Sequence, residues 1–393
     1  MLRSRVITRL SLIAAAMAVL VVCVAVVSFV RREAGRAQTP DTPPARFRVV
    51  WERAVLPPAR LWLSPRGTAF CTLSRDGVLG VYSSDGRRRF AVRVPDATAA
   101  AVTDDGRYVL VYAERDPSRS VLRFLDSTGR ECRKLEVVGA VWCADAWSDT
   151  DTATFVVGTG ARYVYVVEIG PRRWRYRRWT APGAVTSAAI DGNTRQVTFA
   201  TWQRSAVCRA TLRGLRRWRA EADPASIGCV EALGSFPGVL VRCTPNRPDV
   251  DGEFMLLDDA GNQLYRGTIS RQGATKVLAA PNGRYICLGQ AKLIRHKGKS
   301  VREKHTVLLD SGGRTLVDKG SLFFEADPLL VTAGGAVLVA GAKNTLFSMT
   351  RTGKLEVVAK MPSRIKRCVS SRDGKRALIE CSGGRLVMLT LIR

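Results

Sequence analysis

Two ladders of turn residues with one period, about 44 residues, run along this chain from residue 64 onward. The first ladder precedes apolar runs: Ser64-Pro65-Arg66-Gly67, Thr103-Asp104-Asp105-Gly106, Ser148-Asp149-Thr150-Asp151, Ile190-Asp191-Gly192, Phe236-Pro237-Gly238, Pro281-Asn282-Gly283, Ala333-Gly334-Gly335 and Arg372-Asp373-Gly374. The second follows other apolar runs: Ser84-Asp85-Gly86, Asp126-Ser127-Thr128-Gly129, Glu168-Ile169-Gly170, Leu212-Arg213-Gly214, Asp258-Asp259-Ala260-Gly261, Asp310-Ser311-Gly312-Gly313 and Arg351-Thr352-Gly353. Asp-Gly and Asn-Gly pairs flanked by alternating apolar residues are strong short-range hairpin signals. The stretches between them, such as Tyr108–Tyr112 and Ser120–Leu125, are rich in residues that suit a pleated, half-buried surface. No long helical period appears after residue 46. The repeating unit is therefore two hairpins, or four strands.

Eight such units predict an all-β fold, an eight-bladed β-propeller of four-stranded blades. The eighth unit ends on the strand Arg385–Leu391 and lacks an outer partner, while Phe47–Val55 precedes the first complete unit. Pairing the two closes the ring and removes two free edges. Residues 47–393 are thus read as one domain.

Before the repeats, Leu10–Val30 holds 21 residues without a charge, about 31 Å as a helix, enough to cross a hydrocarbon core. The run is too long for the apolar region of a cleaved signal peptide, and it stops at Arg31-Arg32. We read 1–9 as a basic tail, 10–30 as a transmembrane signal anchor and 31–46, with Pro40, Pro43 and Pro44, as a stiff tether. Arg3, Arg5 and Arg9 on one side nearly balance Arg31, Arg32 and Arg36 on the other. Retaining a nine-residue tail in the cytosol is easy, so the large domain is placed outside a cell membrane, single-pass and extracytoplasmic.

Ten cysteines include no Cys-x-x-Cys and no adjacent pair, which argues against zinc ribbons and thioredoxin chemistry and favours buried thiols on strands. Two histidines leave little room for histidine acid–base chemistry or a multi-His metal site. Between Arg247 and Glu253, Asp249, Asp251 and Glu253 place three carboxylates in five residues, but no complete calcium loop, so they read as turn chemistry. Nucleophile-elbow, zincin and dinucleotide fingerprints are missing, as is a P-loop at Gly298-Lys299-Ser300. No metal and no cofactor is expected.

The turns Leu125–Gly129, Leu257–Gly261 and Leu309–Gly313 resemble the Leu-Asp-x-x-Gly turn of quinoprotein-like (pyrroloquinoline-quinone-type) propeller repeats. In that family an aromatic residue four places after the glycine docks between blades. Gly86 to Phe90, Gly170 to Trp174, Gly214 to Trp218 and Gly261 to Tyr265 match this spacing, whereas Gly129, Gly313 and Gly353 do not. The first ladder equally resembles turns of WD-repeat and TolB-like propellers. The resemblance implies eight blades but not catalysis, because the adjacent cysteines of quinoprotein dehydrogenases have no counterpart here. Non-enzymatic relatives use the same scaffold as an interaction platform.

Two basic segments are the candidate binding sites. Arg172, Arg173, Trp174, Arg175, Arg177 and Arg178 lie between Pro171 and Trp179, and the segment mixes guanidinium forks with rings. The plainer account is an outer strand with arginines in solvent and tryptophans between blades. Lys292, Arg295, His296, Lys297 and Lys299 lie in the longest connection between two middle strands, and a solvated hairpin is the plainer account there too. The chain carries 62 Lys+Arg against 34 Asp+Glu, +28 in all, and about +23 remains after residue 36. Such a field attracts anionic partners. The expected function is a membrane-anchored, non-catalytic binding or scaffold module for protein or anionic cell-envelope partners. The alternatives are a quinoprotein-like enzyme with a ligand in the central channel, and a cytosol-facing propeller that binds nucleic acid.

Overall fold

Each pair of ladder turns closes the two hairpins of one blade. A computed structural model of the chain describes residues 45–393 apart from 56, 57, 59, 117, 203–205, 222–225, 246–250, 270–275, 297, 298, 322–326 and 393. They lie in a compact unit spanning Pro44–Arg393. No helix among the described residues is long and apolar enough to cross a membrane, and the expected anchor at 10–30 lies outside them.

The strands form eight four-stranded antiparallel sheets, so the all-β eight-bladed propeller is observed. Blades 1 to 7 occupy residues 60–93, 97–138, 141–180, 185–221, 226–269, 276–321 and 327–360, and blade 8 combines 365–392 with 46–54. The strand Arg46–Ala54 pairs with Arg385–Ile392, Arg46 opposite Ile392 and Ala54 opposite Arg385. It starts at Arg46, one residue into the expected tether.

Neighbouring first strands touch round the ring, and at the junction of blades 5 and 6 the first strand of blade 6 meets the second strand of blade 5. Eight separate apolar clusters fill the junctions, each drawn from two adjacent blades; Leu61, Phe70 and Tyr82 of blade 1, for instance, pack with Leu378, Leu386 and Met388 of blade 8. The core is therefore a ring of interfaces rather than one central mass. Eight of the nine described cysteines sit in or beside this packing, and none of the nine is in a disulfide; five are buried, and burial pushes the Cys143 thiol up to about 12.

The outer strands explain the second ladder. Gly86, Gly129, Gly214, Gly261 and Gly313 have positive φ, and against each lies a ring from the outer strand of the preceding blade: Trp51, Phe90, Trp179, Trp218 and Tyr265. Trp51 Nε1 donates to the Ser84 carbonyl and Trp218 Nε1 to the Asp259 carbonyl, both at 2.7 Å, two residues before the covered glycine. At Gly261 (φ 85°) a Cβ would lie 2.6 Å from the Trp218 ring. Gly261→Ala should therefore lower stability by about 2 kcal/mol, combining left-handed strain with displacement of the indole. Thermal denaturation with tryptophan emission checks this, and an unchanged midpoint would show that the ring is not tightly seated.

The spacing rule holds for Phe90, Trp218 and Tyr265 and fails for Trp174. Those three hairpins carry a bulge at the turn, as between Arg209 and Ala210. The blade 3 hairpin has none; it runs in register from Tyr163↔Thr180 to Gly170↔Arg173, and Gly170 lacks positive φ. Omitting one residue reverses every side chain after it. Trp174 therefore packs edge-on against Phe124 of blade 2, centroids 5.3 Å apart, while Trp179 covers Gly214 of blade 4.

Candidate functional site

The reversed hairpin gathers charge at the junction of blades 3 and 4. On the outer strand Arg173–Thr180, Arg173, Arg175, Arg177 and Trp179 now share the face toward blade 4. Opposite Arg175 stands Glu168, whose side chain is only 10% exposed; Arg173 Nη2 is 3.3 Å from Oε1 and Arg175 Nε donates to Oε2. Burial alone would push the Glu168 carboxyl up, but the Arg175 hydrogen bond and the charges of Arg175, Arg173 and Arg177 hold it below its ordinary value.

These residues line a groove of about 320 Å³ with Arg195 and Arg213 of blade 4. Arg195 Nη2 lies 2.9 Å from Asp149 Oδ2. Five arginines thus face two carboxylates, Glu168 and Asp149, and the surplus charge makes this a candidate anion site. Arg177 Nη1 reaches the Leu212 carbonyl at 3.5 Å, the acceptor that the Trp51 and Trp218 pattern reserves for an indole. Trp179 Nε1 is left buried with no hydrogen-bond partner.

The other expected residues go elsewhere. Arg172 is exposed in the turn, and Trp174 and Arg178 point toward blade 2, with the Arg178 guanidinium 4.7 Å from the centre of the Tyr163 ring. The segment carrying Lys292, Arg295, His296, Lys297 and Lys299 belongs to blade 6, three blades away, and it is not a loop. Its two strands, Tyr285–His296 and Lys299–Asp310, stay paired out to His296↔Lys299, whereas the flanking strands stop at Lys276↔Gly289 and Lys304↔Ser321. A two-stranded ribbon of five residue pairs, Lys292↔Glu303 to His296↔Lys299, therefore projects about 17 Å beyond the blade. Arg295 is exposed there; the side chains of Lys292, His296 and Lys299, and all of Lys297, lie outside the described residues. At its base His305 sits between Asp318 Oδ1 at 2.6 Å and Glu303 Oε2 at 2.9 Å. Of the carboxylate-bearing turn between Arg247 and Glu253, 247–250 lies outside the described residues, and Glu253 is paired with Arg266, whose Nε is 2.6 Å from Oε2.

A second cavity, about 470 Å³, lies over the central channel and is lined by the inner turns of all eight blades. Its key member was not anticipated. Arg372, in the first turn of blade 8, donates from its backbone to Pro65 of blade 1 at 2.7 Å. Its side chain reaches across the channel mouth, where Nη1 donates to the Ile190 carbonyl at 2.7 Å and Nη2 to Asp145 Oδ2, which also accepts the Ile190 N–H at 2.7 Å. Beneath the same turn lies Gly234 of blade 5, where a Cβ would come 2.5 Å from the Arg372 carbonyl oxygen. On the cavity wall burial pushes the Asp104 carboxyl up, despite the Arg66 N–H at 2.6 Å from Oδ1. A third groove, about 660 Å³ between blades 8 and 1, carries Arg53, Arg87 and Arg88, but there the repeat pattern is intact because Trp51 keeps its bond to Ser84.

Fold and site define a β-propeller with an arginine-rich inter-blade groove and a channel mouth spanned by one arginine. Among solved structures it is similar to BamB from Moraxella catarrhalis, at a TM-score of 0.55 and 12% identity over 88% of this chain and 98% of that one. The β-propeller domain of Cps50 (Swd1) from Myceliophteria thermophila gives 0.49 and 11% over 89% and 100%. At such identities the first likeness is one of fold. No protein-family model and no curated protein matches the chain.

Proposed function

We propose that the chain is a membrane-anchored, non-catalytic binding platform whose propeller, held outside the membrane by residues 10–46, engages protein or anionic cell-envelope partners. The observation that carries this reading is the groove between blades 3 and 4, where five arginines face two carboxylates on a rigid, closed scaffold. Guanidinium forks on packed strands are preorganised for carboxylate or phosphate oxygens. The Arg372 side chain across the channel mouth weighs against a cofactor seated at that level. Attraction to anionic surfaces acts over about 8 Å at physiological salt, so binding is expected to weaken as salt rises.

The experiment is a compartment-sensitive reporter joined after Arg393, read alongside membrane fractionation. An outside reporter on a membrane-bound protein is the expected result. A reporter in the cytosol overturns the envelope reading and favours nucleic acid as the target of the basic surface.

A further inference from the structure

We infer that the groove between blades 3 and 4 receives an acidic segment of a partner protein, with one carboxylate between Arg177 and Arg213 and a neighbouring apolar side chain on Leu215. This rests on the binding-platform reading and narrows it to one site and one kind of ligand.

Three observations lead there. First, the charges are unevenly spent. Arg173 and Arg175 bond Glu168, and Arg195 holds Asp149, whereas among the described residues no carboxylate lies within 4 Å of the Arg177 or Arg213 guanidinium, although the charge of Arg177 also acts on Glu168. The Arg177 guanidinium lies against the Leu212 carbonyl, one residue before Arg213, so both belong to one wall of the cavity. Each guanidinium has five N–H donors, and Arg177 spends one of them on a 3.5 Å contact.

Second, this junction departs from the repeat where the groove opens. The hairpin lacks its bulge, the indole N–H of Trp179 is orphaned, and an arginine stands where that N–H would bond. Local rules broken without local compensation mark functional positions. Arginines on an edge strand also deter edge-to-edge pairing. That role asks only for charge in solvent; it does not account for an arginine turned inward at the expense of a tryptophan's hydrogen bond.

Third, the groove is not purely polar. Leu215 on its rim is 67% exposed, and half-buried Trp147 lines the wall. A phosphate or lipid headgroup gains nothing from Leu215, whereas a peptide side chain laid over it removes apolar surface from water. Arginine and tryptophan beside an apolar contact is the composition of a protein-binding hot spot. At about 320 Å³ the cavity fits a side chain or two and lies at the small end of pockets for whole ligands.

The test uses the full chain in detergent micelles and the fluorescence anisotropy of a short labelled peptide of Glu, Asp and one Leu. Competitors are the same peptide with Ser for Leu, inorganic phosphate, and vesicles containing phosphatidylglycerol. The expected result is saturable binding, at least about tenfold weaker for Arg177→Ala and for Arg213→Ala. Leu215→Ser, or Ser in the peptide, should weaken it several-fold, and the exposed control pair Arg75→Ala/Arg130→Ala should leave it within about twofold. Arg213 is exposed, so its variant reports on binding even if Arg177→Ala melts early. Peptide binding that ignores both arginine variants overturns the inference and leaves the platform reading standing. Binding of phosphate or vesicles but not peptide, or of nothing, overturns it as well.

Discussion

Removal of residues 384–393 should abolish the cooperative thermal transition of the entire propeller rather than loosen one blade. The strand lost, Arg385–Ile392, lies between Arg376–Cys381 and Arg46–Ala54, so its deletion strands the latter and opens the ring. Leu386, Val387, Met388 and Leu389 are at most 1% exposed. Their burial contributes about 6–12 kcal/mol at about 1.5–3 kcal/mol each, which is comparable to the whole stability of a typical domain, about 5–15 kcal/mol. Calorimetry and circular dichroism of the truncated chain test this. A residual transition with most of the native enthalpy would show that blades 1–7 stand without closure.

Arg372→Ala should lower stability by about 3 kcal/mol, because it leaves Asp145, only 15% exposed, without its cation, and the Ile190 carbonyl without its donor. For a fold of this size the midpoint should drop by about 4 °C. In a double-mutant cycle with Asp145→Asn the two changes should be non-additive by about 1.5–3 kcal/mol. Additive losses would show that the arginine stabilises blade 8 locally and does not tie it to blades 3 and 4.

The repeat made the architecture legible, because hairpin turns announce themselves within a few residues. Gly67, Gly106, Gly283, Gly335 and Gly374 all adopt the positive φ that the first ladder implies. The site was legible only in part. Arg173, Arg175 and Arg177 lie close together in the sequence and on one face of one strand, but spacing from Gly170 assigns Trp174 the docking role that Trp179 holds. Whether a turn carries a bulge depends on φ at one residue, and a four-residue motif does not encode it. Arg195 and Asp149 carried no signal, since their proximity is created by the packing of two blades. Arg372 was harder still: its partner Asp145 is 227 residues away, and nothing local distinguishes it from any other turn arginine. The blade 6 segment shows the opposite error, in which a run of charges looked like a loop and is paired strand.

Blade 8 also sets an order in time. Arg385 and Glu52, in facing strands of that blade, are 333 residues apart in the chain. During synthesis, at about 5–20 residues per second, the strand Arg46–Ala54 emerges early and then waits tens of seconds for its partner. Blades 1 to 7 are assembled from contiguous hairpins and can form as they appear, yet the junction of blades 8 and 1 has no second wall until Leu378, Leu386 and Met388 arrive. Throughout that interval the side of Phe70 and Tyr82 that meets Leu378, Leu386 and Met388 stays bare, which makes this one seam the chain's window for capture by chaperones or by a second nascent copy.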